Sequence, residues 1–141
     1  MLLHSDRYFD HIYETKFDLL TVNWMTIETV FMPEILHSVQ QLVANIKNYD
    51  IRNLLIDASG IHEHSSEQEH EKVVDALFGG LAKSRLKKLA RIASLNKIRE
   101  FVLKEKLPAL NQECDFEIRL FGNFAEADAW LKLPDFNLAA A

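Results

Sequence analysis

The alternation of short β-forming runs with amphipathic helical stretches constrains this chain more than any motif in it. Tyr8 to Tyr13 is rich in β-formers, Glu14-Thr15-Lys16 is a turn, and Phe17 to Trp24 is a second β run, so the two form an antiparallel hairpin. Beyond the hairpin, Ile35, Leu36, Val39, Leu42, Val43 and Ile46 recur at helical spacing and define one apolar stripe. Pro33 suits the first turn of that helix, the segment from Thr26 to Thr29 offers N-cap chemistry, and Asn48-Tyr49-Asp50 ends it. Asn53 to Asp57 reads as a central strand. Ser66 caps the second helix, with Glu67 and Glu69 in the first turn, where the helix dipole favours acids. That helix buries Val73, Val74, Leu77, Phe78 and Leu81, and Gly79-Gly80 marks either its end or a close-packing point. Lys88 to Ser94 is the fourth strand. Asn96 caps a third helix carrying Ile98, Phe101, Val102 and Leu107, ended or kinked at Pro108. Phe116 to Phe121 is the fifth strand. Asn123 and Glu126 form a capping-box-like pair for a short last helix, Phe124 to Lys132, which presents Ala127, Trp130 and Leu131.

Repeated β-α units imply parallel strands joined by right-handed crossovers. A parallel sheet covered on both faces is built from continuous apolar runs. Here Phe116, Ile118 and Leu120 alternate with Glu117 and Arg119, Arg91 interrupts Leu89, Ala90, Ile92 and Ala93, and Asp18 and Asn23 bracket the second strand. Part of one sheet face is therefore expected to be wet or used for association. The expected fold is α/β: an N-terminal antiparallel hairpin, then β-α repeats, giving a mixed, mostly parallel five-stranded sheet with about four helices mainly on one face. That pattern argues against a two-faced Rossmann-like sheet.

The chain has 141 residues, enough for one domain that buries roughly two-thirds of its unfolded surface. Residues 1–134 are expected to form that domain and residues 135–141 a tail. The net charge of −5 disfavours nucleic acid and anionic membrane as partners. Charge is unevenly spread: Glu63, Glu67, Glu69 and Glu71 face only Lys72 in the segment from Asp57 to Asp75, whereas Lys and Arg dominate from Lys83 to Lys106. The basic run Lys83 to Arg91 lacks interleaved aromatics for base stacking. Cys114 is the single cysteine, so no intrachain disulfide framework exists. That composition suits a reducing cytoplasm. Leu2-Leu3 before His4 is too short for a signal peptide, and no apolar run approaches the ~20 residues of a membrane span.

The stretch from Asn53 to Ser66 holds the best site candidates. In an α/β domain ligands gather at the carboxyl ends of strands, and here Asp57, Ser59, Gly60, His62, His64, Ser65 and Ser66 follow the central strand. His62, His64 and His70 fall within nine positions, close to Glu63, Glu67 and Glu71, and are weak candidates for a metal site. No His-Glu-x-x-His or Cys/His spacing accompanies them. Ser65 and Ser66 are candidate phosphoacceptors, because a helix N-terminus stabilises a dianion, although Glu63, Glu67 and Glu69 oppose it. Ser59, Asp57 and His62 do not form a Gly-x-Ser-x-Gly elbow, so a hydrolase is disfavoured.

The order of elements, Leu55-Ile56-Asp57-Ala58-Ser59 ending a central strand, and Leu120-Phe121 followed by Glu126-Ala127-Asp128-Ala129-Trp130-Leu131 together resemble the STAS-like domains. The likeness is strongest to the small stand-alone bacterial relatives of the anti-sigma-factor antagonists, and it spans nearly the whole chain. It implies a β-α superhelical fold with helices on one face and a non-enzymatic regulatory module, without cofactor, that binds a protein partner or itself, as in a homodimer. In the antagonist branch a serine of an Asp-Ser-Ser-Gly-like sequence is phosphorylated. The equivalent segment here is His64-Ser65-Ser66-Glu67, which lacks the preceding acid and the following glycine. Two other functions stand beside this one: a carrier of a small apolar ligand held between helices and sheet, which requires an apolar cavity above roughly 300 Å³, and a metal protein built on the histidine loop.

Overall fold

A computed structural model describes residues 1–24, 31–59 and 67–133. Among these residues the chain forms β1 (Leu2–Ser5), β2 (Phe9–Glu14), a 3-10 turn (Thr15–Phe17), β3 (Leu19–Trp24), α1 (Met32–Asn48), β4 (Asn53–Asp57), α2 (Glu67–Leu81), β5 (Lys88–Ile92), α3 (Lys97–Glu113), β6 (Glu117–Phe121) and α4 (Phe124–Leu131). The strands make one sheet in the order β1-β2-β3-β4-β5-β6. β1 to β3 pair antiparallel and β3 to β6 pair parallel. The sheet is thus mixed and mostly built of β-α units, with six strands rather than the expected five. The extra strand is β1, a four-residue edge strand whose register shifts between Leu2 and His4. A run that short carries too little periodicity to stand out in a sequence.

The corner between β1 and β2 is fixed by Asp6. Its carboxylate accepts hydrogen bonds from the backbone N–H groups of Tyr8 and Phe9, at 2.8 and 3.0 Å, and from the Ser38 hydroxyl of α1 at 2.8 Å. His4 Nε2 lies 2.8 Å from the same carboxylate. Burial alone would raise this carboxyl; the hydrogen bonds, led by His4, outweigh it and hold the group at about 2.

Strand alternation divides the core into two layers. Leu20, Val22 and Trp24 of β3, Leu54 and Ile56 of β4, Leu89 of β5 and Ile118 of β6 point to the side that carries α1, α2 and α3. Leu19, Leu55, Ala90 and Ile92 point the other way and meet Ala127, Trp130 and Leu131 of α4. Three helices therefore cover one face, and α4 covers the other over β4 to β6. Over β1 and β2 that second face stays open: Leu2 and Ile12 are exposed. Glu117 and Arg119 are solvated as their alternation predicts, Arg119 lying 4.8 Å above the Trp130 ring.

Arg91 departs from the expectation built on it. Its side chain faces the α1–α3 layer and is 7% exposed, so it is no mark of a wet face. Gly79-Gly80 does not stop α2, which continues to Leu81. A Cβ built on Gly80 would sit 2.7 and 2.9 Å from the two methyl carbons of Val43, so this glycine allows α1 and α2 to approach. Pro108 does not end α3, which runs on to Glu113. The Asn111 side chain then ties the last turn of that helix to β6, donating to the Ile118 carbonyl at 3.3 Å and accepting from its N–H at 2.8 Å. Because β6 is an edge strand, this amide occupies backbone groups that would otherwise be open to a passing strand.

Candidate functional site

The parallel strands β3, β4 and β5 finish side by side, Asn23 opposite Asp57 and Asp57 opposite Ile92. Beyond them Ala58 is tied back to β5 through its N–H and the Ile92 carbonyl, at 3.2 Å. Asp57 Oδ1 accepts from both the backbone N–H and the hydroxyl of Ser59, at 3.0 and 2.6 Å. These bonds close a small turn at the end of the central strand and occupy the Ser59 proton locally. The other sequence candidates in this loop, Gly60, His62, His64, Ser65 and Ser66, lie outside the described residues, as does the segment from Thr26 to Thr29.

His70 is described, and its position was not legible from the loop around it. It is 5% exposed, on the inner side of α2, with its ring 6.1 Å from that of Trp24. Among the described residues neither ring nitrogen has a hydrogen-bond partner. Burial, followed by the positive charges of Arg99 and Arg91, lowers its pKa to about 3, so it is a neutral imidazole. Among the described residues no group of three or more His, Cys, Asp or Glu is placed to hold a metal ion.

Next to His70 sits a polar cluster that sequence reasoning did not assemble. The Arg91 guanidinium makes two hydrogen bonds to Glu100, Nε to Oε1 at 3.2 Å and Nη2 to Oε2 at 2.9 Å. The Ser94 hydroxyl donates to Glu100 Oε2 at 2.7 Å. Burial acts to raise the Glu100 carboxyl, but Arg91 and Ser94 outweigh it and hold the group below the ordinary carboxylate range. Arg99, one residue before, is 2% exposed. A usable signal existed: a lone arginine in an apolar strand, followed nine residues later by a glutamate near a helix start, fits a buried pair as well as a solvent-facing residue.

The sheet side of α3 is set by Arg99 and Leu103, which are buried, with Leu107 and Leu110 packed partly against the core. Of the apolar residues expected to characterise this helix Leu107 is thus on the inside, whereas Ile98, Phe101 and Val102 are on its outside. Ile98 is 72% exposed, Phe101 62% and Val102 38%, and Leu95, just before the helix, 71%. Lys97 and Lys104 flank them, also exposed. Between α2 and α3 lies a gap of about 100 Å³ lined by His70, Arg99, Lys106, Val74, Val102 and Leu103, with Glu71 at its rim. A separate apolar void of about 30 Å³ lies deeper, against Trp24, Leu89 and Arg91. Cys114, at the end of α3, is partly buried, and burial, helped by Glu113 and Asp115, raises its thiol pKa.

No family model matches the chain, and no curated protein matches it. A solved structure does. It is an uncharacterised protein from the DUF3478 family with a SpoIIAA-like fold, from Shewanella loihica PV-4. The likeness has a TM-score of 0.57 at 16% identity and covers 92% of this chain and 98% of that one. At that identity it speaks to fold alone. The fold is SpoIIAA-like, and so STAS-like, as the order of elements implied. Among the described residues no helix is long and apolar enough to cross a membrane.

Proposed function

We infer that this protein is a non-enzymatic binding module that acts through protein–protein contact in the cytoplasm, and that the outer face of α3 is its contact surface. The observation that carries this is the exposed group Leu95, Ile98, Phe101 and Val102, adjacent to the carboxyl ends of the parallel strands. Single exposed apolar residues are ordinary, whereas several together on one helix face mark an interaction site. Lys97 and Lys104 beside them favour a partner surface that is apolar at its centre and acidic at its rim. The SpoIIAA-like fold supports a binding role by analogy. The open part of the sheet over β1 and β2 is smaller and offers Leu2 and Ile12. An apolar-ligand carrier is less well supported, since the void between helices and sheet measures about 30 Å³, far below the roughly 300 Å³ that a small ligand occupies, and the larger hollow of about 520 Å³ is an open groove between α1 and α2.

The test is native mass spectrometry of untagged protein from its own host, wild type against the Ile98→Asp/Phe101→Asp double variant. Both side chains are exposed, so the variant is expected to keep its circular dichroism and melting temperature. Wild type should carry a protein partner, or a second copy, at fixed stoichiometry, and the variant should lose it. A wild-type protein that remains a bare monomer, or a complex that survives in the folded variant, would refute the assignment.

A further inference from the structure

We propose that the hollow at the amino ends of β3, β4 and β5 docks an acidic segment of a partner protein, its carboxylates against Lys16, Arg52 and Lys87 and an apolar side chain against Phe17 and Leu133. This surface is separate from the outer face of α3, whose apolar group starts beside the carboxyl ends of the same strands. The sequence places a basic residue at the entry to each of three neighbouring parallel strands. Lys16 stands in the turn before β3, Arg52 immediately before β4, and Lys87 and Lys88 at the start of β5. Parallel pairing puts Leu19 opposite Asn53 and Asn53 opposite Lys88, so side chains far apart in sequence come to one end of the sheet. Together with Phe17, Asp18 and Leu133 they line an open hollow of about 430 Å³.

The hollow carries surplus positive charge over a fixed floor. Four basic side chains line it against the one carboxylate of Asp18, whose Oδ1 already accepts from the Tyr13 hydroxyl at 2.8 Å. Among the described residues Lys16, Arg52 and Lys87 have no carboxylate partner, and all three are exposed. The acids at the rim, Glu14, Asp128 and Glu117, are each engaged by Lys132 or Arg119, so lining and rim together hold six basic groups against four acidic. The carbonyls of the floor are occupied as well. Lys87 and Lys88 N–H both donate to the Arg52 carbonyl, at 2.7 and 3.1 Å, and the Asn53 side chain donates to the carbonyls of Phe17 and Asp18, at 3.1 and 3.3 Å.

Charge and shape select the partner. A divalent cation would be repelled. Nucleic-acid bases stack on free aromatic faces, whereas the Phe17 ring carries Lys16 at 5.4 Å and Lys132 at 4.7 Å, and the Trp130 ring carries Lys88 at 5.3 Å and Arg119 at 4.8 Å. Inorganic phosphate would leave Phe17 and the exposed Leu133 facing a hydrated ion. A protruding peptide that sets carboxylates around an apolar residue matches both parts of the lining, and the opposite charges favour its encounter.

Backbone-amide NMR tests this on the whole protein at neutral pH. The probes are an end-blocked Asp-Glu-Leu-Asp-Glu peptide, its Lys-Lys-Leu-Lys-Lys counterpart, sodium phosphate, a single-stranded DNA oligonucleotide and vesicles containing phosphatidylserine. The acidic peptide is expected to move the amide signals of Phe17, Asp18, Asn53 and Lys88 saturably, less so as sodium chloride is raised, and the basic peptide to leave them in place. Arg52→Glu/Lys87→Glu, at exposed positions, should weaken the acidic peptide by about tenfold or more while amides remote from the hollow keep their shifts. The neutral pair Arg52→Gln/Lys87→Gln should fall between that variant and wild type, and Lys97→Glu/Lys104→Glu on α3 should bind as wild type does. No saturable response to the acidic peptide would overturn the proposal. So would undiminished binding in both folded variants of Arg52 and Lys87, a loss confined to the α3 variant, or equal or tighter binding of phosphate, DNA or vesicles at the same amides.

Discussion

Replacing Glu100 by alanine would leave the Arg91 guanidinium buried beside Ser94 with no carboxylate to meet it. Arg91 and Glu100 side chains are 9% and 16% exposed, so water replaces little of what is lost. Breaking one half of such a pair strands the other charge, at a cost of about 3 kcal/mol. Glu100→Ala is expected to lower the unfolding free energy in urea by about that amount. Joint replacement of Arg91 by Met and Glu100 by Leu should recover most of it, because no charge is then left buried. The comparison is Glu117→Ala. Glu117 also touches an arginine, Arg119 at 2.6 Å, but both side chains are about half exposed, and the expected change is below about 0.5 kcal/mol. A Glu100→Ala protein as stable as wild type would show that solvent reaches the pair freely.

At the scale of elements, the sequence disclosed those whose burial follows one clear period. Ile35, Val39, Leu42, Val43 and Ile46 form the buried stripe of α1 as their spacing required, and the Asn123 side chain caps α4 through the Glu126 N–H at 2.9 Å. The third helix was recognisable as a helix, but its orientation was not. Leu103, Leu107 and Leu110 make one apolar stripe and Ile98, Phe101 and Val102 an overlapping one, and spacing alone does not rank them. Tertiary packing selected the first, together with a buried arginine. The site suffered from the same ambiguity. Asp57 and Ser59 end the central strand as read, whereas the inward positions of His70 and Arg91 depend on which face of their element meets the core.

The paired glycines of α2 turn one ambiguity into a measurement. Gly79 is exposed and a Cβ there would touch nothing within 4 Å. Gly79→Ala should stabilise the protein by about 0.5–1 kcal/mol through helix propensity. Gly80→Ala gains the same propensity, but its methyl would press on the two branches of Val43, whose χ1 is stiff. A net loss of about 1–2 kcal/mol is expected, as for other overpacked contacts. Adding Val43→Ala to Gly80→Ala should relieve the clash. Thermal or urea melts of the four variants check the signs, and equal stabilisation by both glycine replacements would mean that α1 and α2 do not meet at Gly80.

The whole molecule brings the acidic and basic runs of the sequence together, since α2 and α3 are neighbours and Lys106 reaches Glu71. It also encloses two neutral imidazoles, and these set its response to acid. His11 is fully buried, with Nδ1 3.0 Å from Asn45 Nδ2 and, among the described residues, no partner for Nε2. Burial, then the nearby His4, lowers its pKa to about 4, with Asp6 and Asp10 acting in the opposite direction. His70 is lowered to about 3 by burial and by Arg99, Arg91 and Lys106, against Glu100. In the unfolded chain both return to the ordinary value near 6.5. Between pH 6.5 and 4 the unfolded state therefore binds up to two more protons than the folded one. Stability is full about one unit above pH 6.5 and falls as the pH drops through 6.5 towards 4, with a slope approaching roughly 2–3 kcal/mol per pH unit near pH 5. Asp6 adds to the loss only below about pH 4, where its depressed carboxyl begins to favour unfolding. Urea unfolding at pH 7.5, 6.5, 5.5 and 4.5 should show a small fall in midpoint over the first two values, about 0.7 kcal/mol in unfolding free energy, and a steep decline over the last two. Ring ¹⁵N shifts should show both histidines still neutral in the folded protein at pH 5. Unchanged stability from pH 7.5 to 4.5, or protonation of either ring near pH 6 in the folded state, would mean that water reaches these imidazoles and that the interior is looser than its packing indicates.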